Sequence, residues 1–124
     1  MLKLSMARTL DCRIKVLKFE SYITGHHVYQ YAWEPYLGEE LQCRIEHENE
    51  YDKYAVAIIK NERIVGHIPA SLARYCNAAL RAGAVITGQV NGHRCNTRQN
   101  GIEVPCQYSI RGRSHLLPVI FRCI

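Results

Sequence analysis

Residues 44–76, RIEHENEYDKYAVAIIKNERIVGHIPASLARYC, decide how this chain folds. Entering this stretch, Glu40–His47 alternates polar and apolar residues, with Leu41, Cys43 and Ile45 on one side, the period of a half-buried strand. A polar turn follows, Asn49-Glu50-Tyr51-Asp52-Lys53. Beyond it, Tyr54–Ile59 is almost wholly apolar and reads as a strand buried on both faces. Asn61-Glu62 is a two-residue hairpin turn into a further strand at Arg63–Ile68. Pro69 and Ser71 mark a helix start, and Leu72, Tyr75, Cys76, Ala79 and Leu80 recur at helical spacing until Gly83 stops them.

Working outward, Cys12–Phe19 alternates apolar and basic residues and predicts a strand. Gly25 interrupts, and His26–Trp33 reads as an aromatic-rich strand before a loop punctuated by Pro35 and Gly38. Downstream, Val85–Val90 is a strand and Gly92–Gly101 a polar loop ending in an Asn-Gly turn. Ile102–Ile110 is its partner strand, and Pro105 predicts that this strand lies at an edge or a bulge. His115–Ile124 is apolar and holds Pro118; it reads as a closing strand or as a segment that meets a neighbour. The expected fold is mainly β, a small modified OB-like β-barrel of six to seven strands with one main α-helix at about 70–82. Such barrels present a strand face and its loops to nucleic acid. The expected organisation is an irregular lead at 1–11, one domain at 12–112 and an apolar C-terminal segment at 113–124.

A chain of 124 residues, 48% hydrophobic, suits one soluble domain with its own core. No apolar run approaches the roughly 18 residues that span a bilayer, and Met1–Leu10 lacks the apolar core of a signal peptide. The expected location is therefore intracellular, in the nucleus, with no membrane partner. Six cysteines without a Cys-x-x-Cys pair read as free thiols in a reducing compartment, several of them buried. The formal net charge of +5 is unevenly spread. Residues 1–62 hold 8 Lys/Arg against 10 Asp/Glu, whereas residues 63–124 hold 8 Arg, no Lys and one acid, Glu103. An arginine-only half suits phosphate contact, since the guanidinium fork matches phosphate oxygens. A solvated basic face without a partner is the alternative.

The polar turn concentrates hydrogen-bonding chemistry. Asn49 offers donor and acceptor, ionised Asp52 accepts only, and Tyr51 adds a ring and a hydroxyl. A hydroxyl end could donate to Asp52 while Asn49 orients it; a phosphorylated end brings negative charge and no donor. The bland alternative is that Asn49 and Asp52 make the side-chain-to-backbone bonds of an ordinary turn. Tyr22, Tyr29, Tyr31 and Trp33 are candidates for base stacking, with Trp33 better read as core and Tyr29, two residues after His27, as exposed. His67, after a glycine that permits close backbone approach, suits a phosphate or sugar contact or a structural hydrogen bond. His93, Cys95 and Cys106 offer three zinc ligands but no tight pair and no fourth, and no cofactor or metal is expected. The chain carries no Gly-x-x-x-x-Gly-Lys, His-Glu-x-x-His or Gly-x-Ser-x-Gly motif. The acidic alternation Glu46, Glu48, Glu50, Asp52 is weak support for a metal-dependent nuclease, and no enzyme is expected.

A family resemblance enters on these residues. Gly25-x-x-x-Tyr29, Gly38-Glu39-Glu40-Leu41, Glu48-Asn49-Glu50-Tyr51-Asp52-Lys53-Tyr54-Ala55-Val56, Val65-Gly66-His67-Ile68-Pro69 and Leu72-Ala73 together closely resemble the HIRAN domain over about residues 14–110. The resemblance implies a modified OB-like barrel that binds single-stranded DNA at 3′-hydroxyl ends in DNA repair, without catalysis, alongside a helicase or other protein. It implies that Asn49, Tyr51 and Asp52 hold the terminal nucleotide, Tyr29 stacks on a base and His67 contacts the terminal backbone. His27, Arg94 and Arg98 complete the expected nucleic-acid-binding set. Glu50 stands where the family has proline, and Val28 where DNA-binding relatives have an aromatic residue. The alternative is a protein-interaction or mobile-element accessory domain that keeps the fold and has lost DNA-end binding.

Overall fold

The computed structural model describes residues 13–25, 33–97, 101–115 and 117. Its strands are β1 (Ile14–Ile23), β2 (Glu40–Ile45), β3 (Val56–Lys60), β4 (Arg63–His67), β5 (Val85–Val90), β6 (Cys95–Thr97) and β7 (Gly101–Arg113), with helix α1 (Ala70–Arg81) between β4 and β5. All pairings are antiparallel, in the order β1-β7-β5-β2-β3-β4, with β6 added to β7. Among the described residues the mainly β architecture with one main helix expected from the sequence is present, but the sheet does not close. Its two outer strands meet at one point, where Thr24 and His67 exchange both backbone hydrogen bonds at 2.9 Å.

That contact depends on a missing side chain. A Cβ on Gly66 would lie 2.5 Å from Ile23 Cγ2 and 3.0 Å from the Thr24 carbonyl oxygen, so only glycine lets β4 approach the end of β1. The β3–β4 hairpin turns on Asn61 and Glu62, both at positive φ (50° and 64°), the twist that two-residue hairpins require. The pairing skips one residue between Ile58–Gly66 and Ile59–Ile64, a β-bulge at Val65 that buries Val65 and Gly66 together.

Helix α1 begins after Pro69 without a side-chain cap. It ends as the glycine predicts: Gly83 has φ +98°, its N–H donates to Leu80 and that of Ala84 to Ala79. Ala73, Cys76 and Ala79 are buried on the helix's inner face, and Cys76 and Ala79 join the core cluster that includes Val56, Ile58, Ile86 and Tyr108. Tyr108 is fully buried, and its hydroxyl donates to the Tyr22 carbonyl at 2.7 Å, so the one polar atom of its ring system is satisfied.

Three expectations need correction. β1 runs on to Ile23, because Ser21 and Tyr22 continue to pair with Cys106 and Pro105. β6 lies inside the stretch read as loop; three residues, Cys-Asn-Thr, are too short to show a period. Pro105 does not mark an edge strand, since β7 is paired on both sides. Its carbonyl accepts from Asn91, so its absent N–H points to the same side, in the gap between the end of β5 at Val90 and the start of β6 pairing at Glu103. Residues 1–12, 26–32 and 118–124 lie outside the described ones, which leaves the aromatic strand and most of the apolar C-terminus there; Trp33 belongs to no strand and Leu117 is buried in the core. Among the described residues, no helix is long and apolar enough to cross a membrane.

Candidate nucleic-acid interface

The polar turn is a ten-residue excursion, Glu46–Ala55, closed at its base by the Glu46 N–H donating to Ala55 at 3.0 Å. Asn49 Oδ1 accepts from the backbone N–H groups of both Tyr51 and Asp52, each at 2.8 Å. Asp52 Oδ1 accepts from the Tyr54 N–H at 2.9 Å, and the Asp52 carbonyl from Ala55 at 3.1 Å. The bland alternative is thus partly what the turn does: Asn49 and half of Asp52 serve the backbone. None of these bonds needs proline at position 50. What remains outward is the Asp52 Oδ2, without a protein partner among the described residues, and the Tyr51 ring, 97% exposed.

Folding brings His67 to this turn. The Gly66 approach pins its backbone to Thr24, and its Nε2 pairs with Glu46 Oε2. The same Glu46 oxygen accepts from Asn49 Nδ2 at 3.3 Å, so one carboxylate orients both the histidine and the amide. Thr24, Asn49, Tyr51, Asp52 and His67 line a shallow depression of about 180 Å³, with Ala70 at the start of α1 on its rim. Among these lining residues none is Lys or Arg. The first turn of α1 carries no acid, and its free N–H groups lend the rim positive potential.

Of the predicted site residues, the structure therefore unites Asn49, Tyr51, Asp52 and His67. Arg94 sits elsewhere, 3.7 Å from Glu34, lining a separate depression of about 480 Å³ with Pro35, Tyr36 and Leu37. His27, Tyr29 and Arg98 lie outside the described residues. Trp33 is core, and its indole N–H donates to the buried Glu39 at 3.0 Å. Tyr22 is 44% exposed at the end of β1. Sequence reasoning missed Thr24 and weighed Glu46 only as a metal ligand. The one available signal was that the hairpin returns residue 67 to residue 46.

Among the described residues, no cysteine lines the depression beside the turn. Cys43, Cys76 and Cys106 are buried and Cys95 is exposed. Burial pushes the Cys76 and Cys106 thiols up to about 12, which keeps them protonated and unreactive. The zinc reading fails because Cys106 is in the core while Cys95 is on the surface, and no group of three metal-ligating side chains forms among the described residues.

An open antiparallel sheet with one helix, its outer strands touching beside a polar depression, defines a small mainly β domain of OB-like kind. The HIRAN domain family model matches residues 16–109, and the chain belongs to that family. The fold is similar to the crystal structure of the HIRAN domain of human HLTF (TM-score 0.67, 20% identity, covering 83% of this chain and 82% of that one). It is likewise similar to the NMR structure of the HLTF HIRAN domain (TM-score 0.60, 20% identity, 86% and 87% covered). A protein from Lactobacillus plantarum shares the fold more distantly (TM-score 0.54, 12% identity, 79% and 98% covered). No curated protein matches the chain significantly in sequence.

Proposed function

We propose that this chain is a non-catalytic module that binds single-stranded DNA at 3′-hydroxyl ends. The observation that carries the reading is the outward Asp52 Oδ2, held beside the exposed Tyr51 ring and His67 in a depression lined by no Lys or Arg. A carboxylate in such a place accepts from a hydroxyl and repels a terminal phosphate. Tyr51 is free to stack on the last base. His67, held through Glu46, faces the terminal sugar, and the α1 N-terminus suits the first internal phosphate.

Fluorescence anisotropy with one oligonucleotide ending in 3′ hydroxyl or 3′ phosphate tests this. A hydrogen bond to a charged group is worth about 1.5–3 kcal/mol, so the hydroxyl end should win by about tenfold to a hundredfold. Asp52→Ala should erase that preference. Equal binding of both ends by the unaltered chain removes the end-recognition reading. A protein-interaction role then gains weight from Tyr36 and Leu37, 61% and 57% exposed beside Pro35 at the opposite end of β2 from the turn.

A further inference from the structure

The end depression contains no cation of its own among the described residues, yet a nucleic-acid strand brings one negative charge per phosphate. Among the described residues, exposed cationic side chains lie on another surface. On the outer face of the sheet, Val16, Lys18, Glu20 and Tyr22 of β1 stand opposite Arg111, Ser109, Gln107 and Pro105 of β7. Arg111, Ser109 and Gln107 stand in turn opposite Val85, Thr87 and Gln89 of β5. The reverse face of these strands carries the core residues Ile23, Val104, Cys106, Tyr108 and Ile110, so this face looks to solvent.

Lys18, Thr87, Gln89, Gln107, Ser109 and Arg111 line a depression of about 340 Å³ on that face. A second depression of about 330 Å³ shares Arg111 and adds Arg113 and His115. Lysine, arginine, hydroxyl and amide side chains are the groups that contact phosphate and sugar. Lys18 and Arg111 are exposed and, among the described residues, take part in no ion pair. Two acids border the face. Glu40 lines the first depression, and Glu20 is engaged by Asn91 and Gln107. On the face itself Lys18, Arg111 and Arg113 stand against Glu20 and Glu40, a balance of +1.

We propose that this outer face of β1, β7 and β5 is a second nucleic-acid surface that takes the phosphate backbone of a single strand. It rests on the end-binding reading only for the direction in which the strand runs. Lys18 precedes Thr24, on the wall of the end depression, by six residues of chain, about 20 Å at the strand rise of about 3.3 Å per residue. A strand whose 3′ end occupies that depression reaches Lys18 and Arg111 several nucleotides upstream.

The test uses the full chain, 12-nucleotide single strands with 3′-hydroxyl or 3′-phosphate ends, a dinucleotide, and the double variant Lys18→Glu/Arg111→Glu. Both side chains are exposed and unpaired, so the variant should keep the amide spectrum of the fold. It should weaken both 12-mers alike, by about tenfold, and lower the salt slope by about 1.4, at about 0.7 per lost phosphate contact. In NMR titrations the 12-mer should shift the amides of Lys18, Thr87, Ser109 and Arg111, whereas the dinucleotide should shift only those around Thr24, Tyr51 and Asp52. If the two 12-mer ends bind alike but the variant still loses slope, the end reading fails and the backbone surface stands. If the end preference persists while the variant keeps the wild-type affinity and slope, the surface is overturned and the end reading stands. Absence of any binding overturns both.

Discussion

Two carboxylates, Glu39 and Glu46, stand at opposite ends of strand β2, and each pairs with a cationic or ionisable side chain 21 residues further along the chain. Glu39 is 3% exposed, and both its oxygens are engaged: Oε1 by the Trp33 indole and the Tyr36 N–H, Oε2 by Lys60. Glu46 is only partly buried; its Oε2 collects His67 and Asn49 at the mouth of a depression. The same β2–β3–β4 geometry makes both pairs. The difference lies in what stands beside each pair. Both oxygens of the buried Glu39 are engaged by the fold and Lys60 alone reaches solvent from the pair, whereas the Glu46 pair stands beside an exposed ring and an Asp52 oxygen with no protein partner among the described residues, which leaves chemistry for a ligand.

Substitutions at the two ends should therefore separate stability from binding. The largest effect is expected from Glu39→Ala, which strips a buried indole N–H and Lys60 of their partner. Unfolding in urea should show a loss of about 3 kcal/mol. Gly66→Ala comes next, since its Cβ would enter Ile23 and Thr24. A cost of about 1–3 kcal/mol is expected from overpacking, and the Thr24–His67 bridge should lose its protection in hydrogen exchange. Tyr51→Ala should leave the urea midpoint unchanged and weaken oligonucleotide binding by about 1–3 kcal/mol in anisotropy titrations. Glu46→Ala should cost about 1 kcal/mol of stability, less than Glu39→Ala because His67 and Asn49 can turn to water, while still lowering the 3′-hydroxyl preference by releasing both. An unchanged preference in that variant would show that the two carboxylates are equally structural.

Much of the candidate site was legible before folding. Asn49, Tyr51, Asp52 and His67 stand out because a run of hydrogen-bonding residues interrupts two regular strands and because Gly66 precedes a histidine at a strand end. The hairpin at Asn61-Glu62 and the helix stop at Gly83 were equally plain, since both depend on backbone angles that few residues accept. Arg94 was misplaced. Its charge was visible, but its distance from the turn depends on how β5 and β6 leave the sheet, and it ends beside Glu34. Lys18 and Arg111 drew no notice either, because 93 residues separate two side chains that one antiparallel register sets on the same face.

The chain's local chemistry by itself determined the element types, the tight turns and the polar excursion at Asn49–Lys53, since these follow from period, φ preference and side-chain donors within a few residues. Only the tertiary structure decided that the sheet stays open, that Pro105 occupies a central strand, and that Asn49 spends its oxygen on the backbone while Asp52 keeps one free. It alone decided that Glu46 ties His67 to the turn. Those outcomes depend on which strands become neighbours, and neighbours are chosen by burying the whole core around Tyr108, not by any one segment.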